Sequence, residues 1–133
     1  MLVSVEKLPN ERIIVVQYNA PFEPNQDISA AQSEIAALLD ENEGVFFRID
    51  DLSKANMTWQ QFVDGIFVAT REVPGSMVDA RIRGVLVGDD EMIQLASASM
   101  KQQQYGATNT PVFASLDEAL AHARQELSLP SSS

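Results

Sequence analysis

The sequence predicts an α/β domain built on one sheet whose strands run mostly parallel. Short runs rich in Val, Ile and Phe alternate along the chain with longer segments whose apolar residues recur at helical spacing, which indicates parallel strands joined by helical crossovers. The first two runs have only a Pro-Asn-Glu turn between them, residues 9–11, which predicts an antiparallel hairpin at the N-terminal edge. The 133 residues predict a single domain with the order β-β-α-β-α-β-α-β-α and with helices covering the sheet.

The hairpin strands are predicted over residues 2–8 and 12–18, where apolar side chains alternate with polar ones or follow one another directly. The PFEP segment that follows forms an extended connection, because proline donates no hydrogen bond to a sheet. A helix is then expected from an N-cap at Asp27 to about Asn42. Its predicted inner side consists of Ile28, Ala31, Ile35, Leu38 and Leu39.

The stretch FFRIDDLSKANMTWQQF, residues 46–62, joins the third strand to the second helix. The strand is predicted over residues 45–49, with Arg48 near the sheet end and paired with a neighbouring acid, since an unpaired buried charge is costly. Thr58 and Gln61 have the spacing of a capping box, which places the helix start directly after Thr58. The predicted inner face of this helix consists of Trp59, Phe62, Val63, Ile66, Phe67 and Val73.

The C-terminal part of the chain is predicted to add two more strands, each followed by a helix. A strand at 82–87 precedes a helix at about 90–105, and a short strand at 111–114 precedes the last helix. Ser115 and Glu118 form a second capping box at the start of that helix. The predicted inner faces are Met92, Ile93, Ala96 and Met100 in one helix and Leu116, Ala119, Leu120, Ala123 and Leu127 in the other.

Composition and charge restrict the classes of partner. The chain carries 9 Lys and Arg against 19 Asp and Glu, a net charge of −10, so nucleic acids and anionic membranes, which require a basic face, are not expected as partners. There is no cysteine, which excludes disulfides and thiolate metal sites. The sequence shows neither a secretory signal nor an apolar run of membrane length, which favours a cytoplasmic protein. The domain is expected to span residues 1–128, followed by a disordered tail at 129–133.

Three stretches of the sequence resemble the STAS family, the sulfate-transporter and anti-sigma-factor-antagonist domains. GVFFRIDDLS, residues 44–53, resembles the family's central strand and its Asp-rich turn, and RIRGVLVGDDEM, residues 81–92, resembles the next strand and turn. TPVFASLDEALAHARQEL, residues 110–127, resembles the last strand and the Ser-capped final helix. The resemblance covers about Leu2 to Leu127 and implies a regulatory α/β domain.

The STAS resemblance also implies a candidate phosphorylation site at the start of the second helix. Regulatory members of the family carry a phosphorylatable Ser there in a D-S-S-G-like motif, whereas this sequence has KANMTWQQ at residues 54–61 and lacks Asp-Ser-Ser-Gly. Thr58 and Ser53 are the candidate phosphoacceptors that remain, and the Thr58 hydroxyl is also predicted to cap the helix. The resemblance is therefore to a divergent branch of the family.

Acidic residues follow two neighbouring strands of the predicted sheet. Asp50 and Asp51 come after the third strand, and Asp89, Asp90 and Glu91 come after the fourth. If these strands are parallel, both groups lie at the carboxyl edge of the sheet, where open α/β sheets bind ligands. Carboxylates gathered there could hold Mg²⁺ or Ca²⁺ or assist acid–base catalysis. The alternative is that they cap helix N-termini, where the helix dipole favours negative charge.

Two further candidates for catalysis have simpler explanations. Ser53 and Lys54 are neighbours on a predicted surface loop, where adjacent residues rarely have the geometry of a nucleophile and its base. His122 is the one histidine and lies in the last helix, where it is expected to be exposed and far from the carboxyl edge. A Ser-His-Asp triad is therefore not expected.

The sequence thus predicts a non-enzymatic STAS-like binding or regulatory module that acts through protein contacts or a small ligand. No catalytic residue, cofactor or metal is assigned. The alternatives are a metal-assisted or acid–base enzyme that uses the five carboxylates, a carrier that holds an apolar small molecule in a gap beside the second helix, and a homodimer formed through the N-terminal edge strand. The expected binding residues lie at the carboxyl edge of the sheet and at the start of the second helix, which together we call the rim. They are Asp50, Asp51, Ser53, Thr58, Trp59, Asp89 and Asp90.

Overall fold

The computed structural model describes residues 3–102 and 109–129. Within them it contains one five-stranded sheet and four helices in the predicted order, so the predicted fold class is confirmed. The strands are β1 (Val3–Lys7), β2 (Ile13–Asn19), β3 (Phe46–Lys54), β4 (Ile82–Val87) and β5 (Val112–Phe113). The helices are α1 (Pro24–Glu41), α2 (Trp59–Ala69), α3 (Glu91–Met100) and α4 (Leu116–Ser128). None of the helices in the described residues has the length and apolar character needed to cross a membrane.

The strands lie side by side in sequence order, β1 to β5. β1 and β2 pair antiparallel, which confirms the hairpin edge, and every other pairing is parallel. Because the three crossovers advance in the same direction across the sheet, α1, α2 and α3 pack on the same face, which we call the three-helix face. α4 alone packs on the opposite face, which we call the α4 face.

The period-two alternation of the strands divides the core between these two faces. On the three-helix face, alternate residues of β2 such as Ile14 and Val16 pack with Ile28 and Ile35 of α1. On the α4 face, the intervening residues of β2 pack instead with Ala119 and other apolar side chains of α4. The central strand β3 is therefore buried from both sides, which explains its nearly continuous apolar sequence.

The predicted N-cap of α1 was wrong. The helix begins at Pro24 with Glu23 as its N-cap, because proline suits the first helical position, where its missing N–H would have no helical partner. Asp27 lies one turn inside the helix, and its carboxylate accepts a hydrogen bond from the backbone N–H of Glu23 at 2.9 Å. The predicted end of the helix at Asn42, its C-cap, is confirmed.

Two boundaries around the second helix also differ from prediction. β3 does not end at Ile49 but continues to Lys54, because β2 and β4 both pair with Asp50 and Asp51 and β2 pairs again with Lys54. α2 begins after its Thr58 cap as predicted but ends at Ala69, so Val73 belongs to the loop that follows.

The C-terminal elements are shorter than predicted. α3 ends at Met100 with Lys101 as its C-cap, and β5 comprises only Val112 and Phe113. The Ser115 hydroxyl caps α4 by accepting a hydrogen bond from the backbone N–H of Glu118. The predicted helix end at residues 103–105 and residues 130–133 of the predicted tail at 129–133 lie outside the described residues.

Candidate functional site

The predicted rim rests on two parallel strands, and the structure confirms that β3 and β4 are parallel neighbours. Asp50 pairs in register with Leu86, and Asp51 pairs with Val87, the last residue of β4. Both acids therefore lie near the carboxyl edge, but inside a strand and not in a turn after it. Both are buried, with Asp50 only 4% exposed.

Asp50 and Asp51 point to opposite faces of the sheet, because they are consecutive residues of one strand. Asp50 lies on the three-helix face, where it contacts Tyr18. Asp51 lies on the side of α4 and accepts hydrogen bonds at one carboxylate oxygen from the backbone N–H of Ser53 at 3.0 Å and from its hydroxyl at 2.6 Å. The two carboxylates thus take part in separate local structures.

The acids at the start of α3 are also separate from these. The Asp90 side chain caps the helix and accepts a hydrogen bond from the backbone N–H of Met92 at 2.9 Å, whereas Asp89 and Glu91 are exposed. Among the described residues, no three acidic or histidine side chains lie close enough together to hold a metal ion. The five carboxylates do not converge, and the capping explanation applies to Asp90.

A buried polar network occupies the three-helix face at β3. Arg48 is fully buried and forms a two-point ion pair with Asp50, with Nε–Oδ1 at 2.8 Å and Nη2–Oδ2 at 2.9 Å. The Tyr18 hydroxyl donates a hydrogen bond to Asp50 Oδ2 at 3.1 Å. Arg48 Nη1 also donates to the Gln32 side chain at 3.1 Å and to the Gly75 carbonyl at 2.9 Å. The network joins β2, β3, α1 and the loop after α2.

The charges of this network are held constant by their surroundings. Burial, reinforced by the negative charge of Asp50, raises the pKa of Tyr18 well above 10.0, so its hydroxyl remains a neutral donor. Burial opposes the charge of Arg48, but Asp50 and Tyr18 more than offset this effect and raise the pKa of its guanidinium. The predicted pairing of Arg48 with an acid is confirmed, although Arg48 lies within the central strand and not near the sheet end. The R-x-D spacing in an apolar strand is the sequence signal for this pair, since residues i and i+2 share a face.

The start of α2 has the predicted capping box. The Thr58 hydroxyl accepts a hydrogen bond from the backbone N–H of Gln61 at 3.2 Å, and the Gln61 side-chain oxygen accepts one from the Thr58 N–H at 2.9 Å. Gln61 also donates to the Phe22 carbonyl at 2.7 Å, which ties the helix start to the loop after β2. Thr58 and Ser53 are both exposed, and both hydroxyls already make hydrogen bonds. Their phosphorylation stays a prediction.

The outer side of α2 carries an apolar surface that was predicted to be core. Trp59 is 61% exposed, Val63 38% and Phe67 59%, whereas Phe62 and Ile66 are buried as predicted. The three exposed residues are spaced by four and therefore lie along one side of the helix; we call them the α2 stripe. Helical spacing identified an apolar helix correctly, but α2 is apolar on more of its surface than the sheet and the neighbouring helices cover.

A cavity of about 40 Å³ lies beneath α2 and α3, against the sheet; we call it the α2–α3 cavity. Its walls are almost entirely apolar, and Tyr18 and Asp50 of the buried network lie at one side of it. Phe62 and Ile66 line it as predicted for a gap beside this helix, whereas Trp59 and Phe67 do not. Six of the remaining lining residues are small or flexible: Gly65, Ala69, Ala96, Met57, Met77 and Met100.

His122 differs from prediction because it is half-buried. Its ring packs edge-on against Phe47, with ring centroids 5.9 Å apart, and lies 5.0 Å from the Phe113 ring. It therefore packs against the α4 face of the sheet. The Ser53 hydroxyl donates a hydrogen bond to Asp51. Among the described residues, it makes no hydrogen bond to a histidine or lysine that could act as a base.

Comparison of the chain with protein-family models, with curated proteins and with solved structures finds no match. The arrangement of the described residues is thus the basis for assigning a function. That arrangement offers two unassigned features around α2, the α2 stripe and the α2–α3 cavity, on opposite sides of the same helix. Of the rim residues named from the sequence, Trp59 belongs to the stripe and Thr58 precedes it. Asp50 lines the cavity. The remaining four belong to neither feature: Asp51, Ser53, Asp89 and Asp90.

Proposed function

We propose that this chain is a non-enzymatic binding module that recognises a partner protein through the α2 stripe. The observation that carries the proposal is the exposure of Trp59, Val63 and Phe67 along one side of a single helix. Isolated apolar residues are ordinary on protein surfaces, but large ones in a row mark interaction sites. Burying an aromatic or aliphatic side chain completely gains roughly 1.5–3 kcal/mol relative to full exposure. The three stripe side chains are already partly covered, so an apolar partner surface would gain a part of that for each of them.

The charges around the stripe indicate the chemistry of that partner. α1 and α3 flank α2, and with their caps they expose six acidic residues and a single basic one, Lys101. The acids are Glu23, Glu34, Asp40, Glu41, Asp90 and Glu91. At the C-terminal end of the stripe itself, the Arg71 guanidinium lies 5.1 Å from the centroid of the Phe67 ring. A partner segment that places Lys or Arg beside its own apolar side chains would match both features, because opposite charges steer association and apolar contact holds the complex. A second copy of the chain fits less well, since two molecules of net charge −10 repel each other.

Two further considerations favour a binding module over an enzyme. The enzymatic alternative requires that the five carboxylates act together, and in the described residues Asp50 and Asp51 face opposite sides of the sheet while Asp90 caps a helix. The element order is also the one for which the sequence resembles regulatory STAS domains, which act through protein contacts. Both considerations support a role in recognition at the helical surface.

The single tryptophan of the chain provides a direct test, because Trp59 belongs to the stripe. We expect an amphipathic helical peptide of Leu and Lys to shift the Trp59 fluorescence to shorter wavelength in a saturable way, and a matched peptide of Leu and Glu to leave it unchanged. Val63→Ser should weaken binding of the cationic peptide about tenfold, in line with the loss of an interface anchor. Val45→Ser is the matched control, because Val45 is also 38% exposed but lies next to β3.

Equal binding of the two peptides, or equal effects of Val63→Ser and Val45→Ser, would contradict the proposal. Analytical ultracentrifugation of the unliganded chain tests the competing occupant. A dimer that dissociates on Val63→Ser would mean that the stripe is covered by a second copy and would overturn the assignment to a basic partner.

A further inference from the structure

We infer that a cavity between α4 and the amino-terminal end of β4 binds a small zwitterionic molecule with an apolar body, such as a free amino acid. The cavity has a volume of about 600 Å³ and is lined by residues of β3, β4 and α4 and of the segments that precede β4 and β5; we call it the α4–β4 cavity. Small-molecule sites in proteins have volumes of roughly 300–1,000 Å³. The inference goes beyond the proposed function, because the cavity shares no residue with the α2 stripe and either assignment can fail without the other.

The cavity lies where the sheet is incompletely covered. α4 alone packs on this face, and β5 pairs only with Leu86 and Val87, in the second half of β4. In the described part of the chain, Arg83 and Gly84 therefore have no strand beside them on the β5 side. Residues 109–111, which lead into β5, form a wall of the cavity at this point.

Arg83 provides a positive charge on the sheet side of the cavity. It lies two residues before Val85 and four before Val87, which both pack on the α4 face, so strand alternation places Arg83 on that face as well. It pairs in register with Phe47, whose ring packs against His122. Arg83 is exposed, and its guanidinium forms no ion pair within the described residues. It can therefore donate two parallel hydrogen bonds to a ligand carboxylate.

Glu126 provides a negative charge on the α4 side of the cavity. It follows His122 by four residues, which places both on the same side of the helix, and both are half-buried. Within the described residues the Glu126 carboxylate forms no ion pair either. The other acid that lines the cavity, Asp79, is already compensated by Arg81 at 2.9 Å and by the backbone N–H of Gly75 at 2.8 Å. One cation and one anion thus remain for a ligand.

These two charges select a ligand that carries one charge of each sign. A carboxylate would pair with Arg83 and an ammonium group with Glu126, whereas a ligand with a single charge would leave one of the two residues unpaired. A zwitterion is neutral overall, so the net charge of −10 does not repel it as it repels a simple anion. Val78, Ile82 and Pro111 also line the cavity and offer apolar contact to the body of the ligand.

The single histidine of the chain reports on this cavity, because His122 lines it. In the full chain at constant pH and ionic strength, we expect titration with phenylalanine to shift the ring signals of His122 in proton NMR spectra in a saturable way. Two matched probes each lack one charge: hydrocinnamate has no ammonium group, and phenethylamine has no carboxylate. Each should bind about tenfold more weakly than phenylalanine, since each loses one charged hydrogen-bonding contact.

Two substitutions test which residue binds which charge. Arg83→Gln should weaken binding of phenylalanine about tenfold and leave binding of phenethylamine no weaker, whereas Glu126→Gln should weaken binding of phenylalanine by a similar factor and leave binding of hydrocinnamate no weaker. Arg71→Gln is the matched control, because Arg71 is also an exposed arginine but lies beyond the end of α2. It should leave all three affinities unchanged.

Three results would overturn the inference. The first is the absence of a saturable His122 shift with phenylalanine. The second is binding of hydrocinnamate or phenethylamine as tight as that of phenylalanine, which would mean that the cavity does not recognise both charges. The third is an equal effect of Arg83→Gln and Arg71→Gln on the affinity for phenylalanine.

Discussion

Arg48 and Asp50 form a fully buried ion pair two residues apart on the central strand, joined through both carboxylate oxygens at 2.8 and 2.9 Å. Two charges in an apolar interior are stable only if each compensates the other and all remaining polar atoms are bonded. Tyr18, Gln32 and the Gly75 carbonyl complete that requirement here. The pair therefore links β2, α1 and the loop after α2 to the central strand on the three-helix face.

Breaking this pair should destabilise the fold strongly. Asp50→Leu leaves the Arg48 charge buried without its carboxylate, and we expect the free energy of unfolding to fall by about 3–5 kcal/mol. The double variant Arg48→Met with Asp50→Leu contains no unpaired charge and should be more stable than Asp50→Leu alone. Urea unfolding of the two variants and of the unsubstituted chain measures the difference. A double variant less stable than the single one would show that the pair is not the source of the cost.

Two glycines on the three-helix face should respond to alanine in opposite directions. Gly65 lies within α2, and an added Cβ would meet its nearest neighbour, Ile28 Cδ1, at 3.7 Å. Gly65→Ala should therefore stabilise the chain by about 0.5–1 kcal/mol, because alanine loses less backbone entropy in a helix. Gly75→Ala should destabilise it, since Gly75 has φ +84° and its Cβ would lie 2.4 Å from the Gln32 carbonyl oxygen. Thermal unfolding of both variants gives the two signs, and a loss of stability in Gly65→Ala would contradict the packing described.

Asp79 should make stability sensitive to acid. Burial acts to raise its pKa, but hydrogen bonds from the Arg81 guanidinium and from the backbone N–H groups of Gly75 and Arg81 lower it from 3.8 to about 2. Because the folded-state pKa is the lower one, the stabilisation is present above pH 3.8 and is lost as the pH falls towards 2. Asp79→Asn should therefore be less stable than the unsubstituted chain near neutral pH. The difference in their free energies of unfolding should shrink as the pH falls from 3.8 towards 2. Unfolding curves at several pH values test this, and a difference between Asp79→Asn and the unsubstituted chain that does not change with pH would contradict it.

Removal of the Thr58 cap should weaken α2 at the end that carries Trp59. Thr58→Ala deletes the acceptor of the Gln61 N–H bond, and we expect a loss of about 1 kcal/mol. Thr58→Ser retains the hydroxyl and should lose only a few tenths of that amount. Amide hydrogen exchange in the first turn of α2 should rise in Thr58→Ala and stay near its original rate in Thr58→Ser. Equal exchange in both variants would mean that the hydroxyl does not secure the helix start.

Local patterns were sufficient to predict much of this molecule. The T-x-x-Q and S-x-x-E spacings located the starts of α2 and α4, because a cap depends only on residues three apart in the chain. The Pro-Asn-Glu turn predicted the antiparallel edge, and the alternation of strands and helices predicted the parallel remainder. The parallel alignment of β3 and β4, on which the predicted rim depended, followed from that alternation.

The N-cap of α1 was mispredicted for a local reason, the proline at the first helical position, whereas the failed predictions at β3 depended on neighbours distant in the sequence. β2 and β4 pair with Asp50 and Asp51 from both sides. These two residues, which were predicted to follow the strand, therefore belong to β3. The direction of each carboxylate then follows from strand alternation, which separates two acids that are adjacent in the sequence.

The sequence by itself determined the fold class, the order of the elements, the caps of α2 and α4 and the strongly acidic composition, because propensity, periodicity and net charge are properties of short segments or of composition. Only the tertiary structure decided which apolar residues of α2 are buried and which are exposed, where a cavity remains, and which charge pairs with Arg48. Those outcomes depend on how many neighbours each side chain meets after α1, α2 and α3 have packed on one face, and a hydrophobic period cannot encode that number. The α2 stripe and the α4–β4 cavity, on which the two proposals rest, are likewise products of how the helices pack on the sheet.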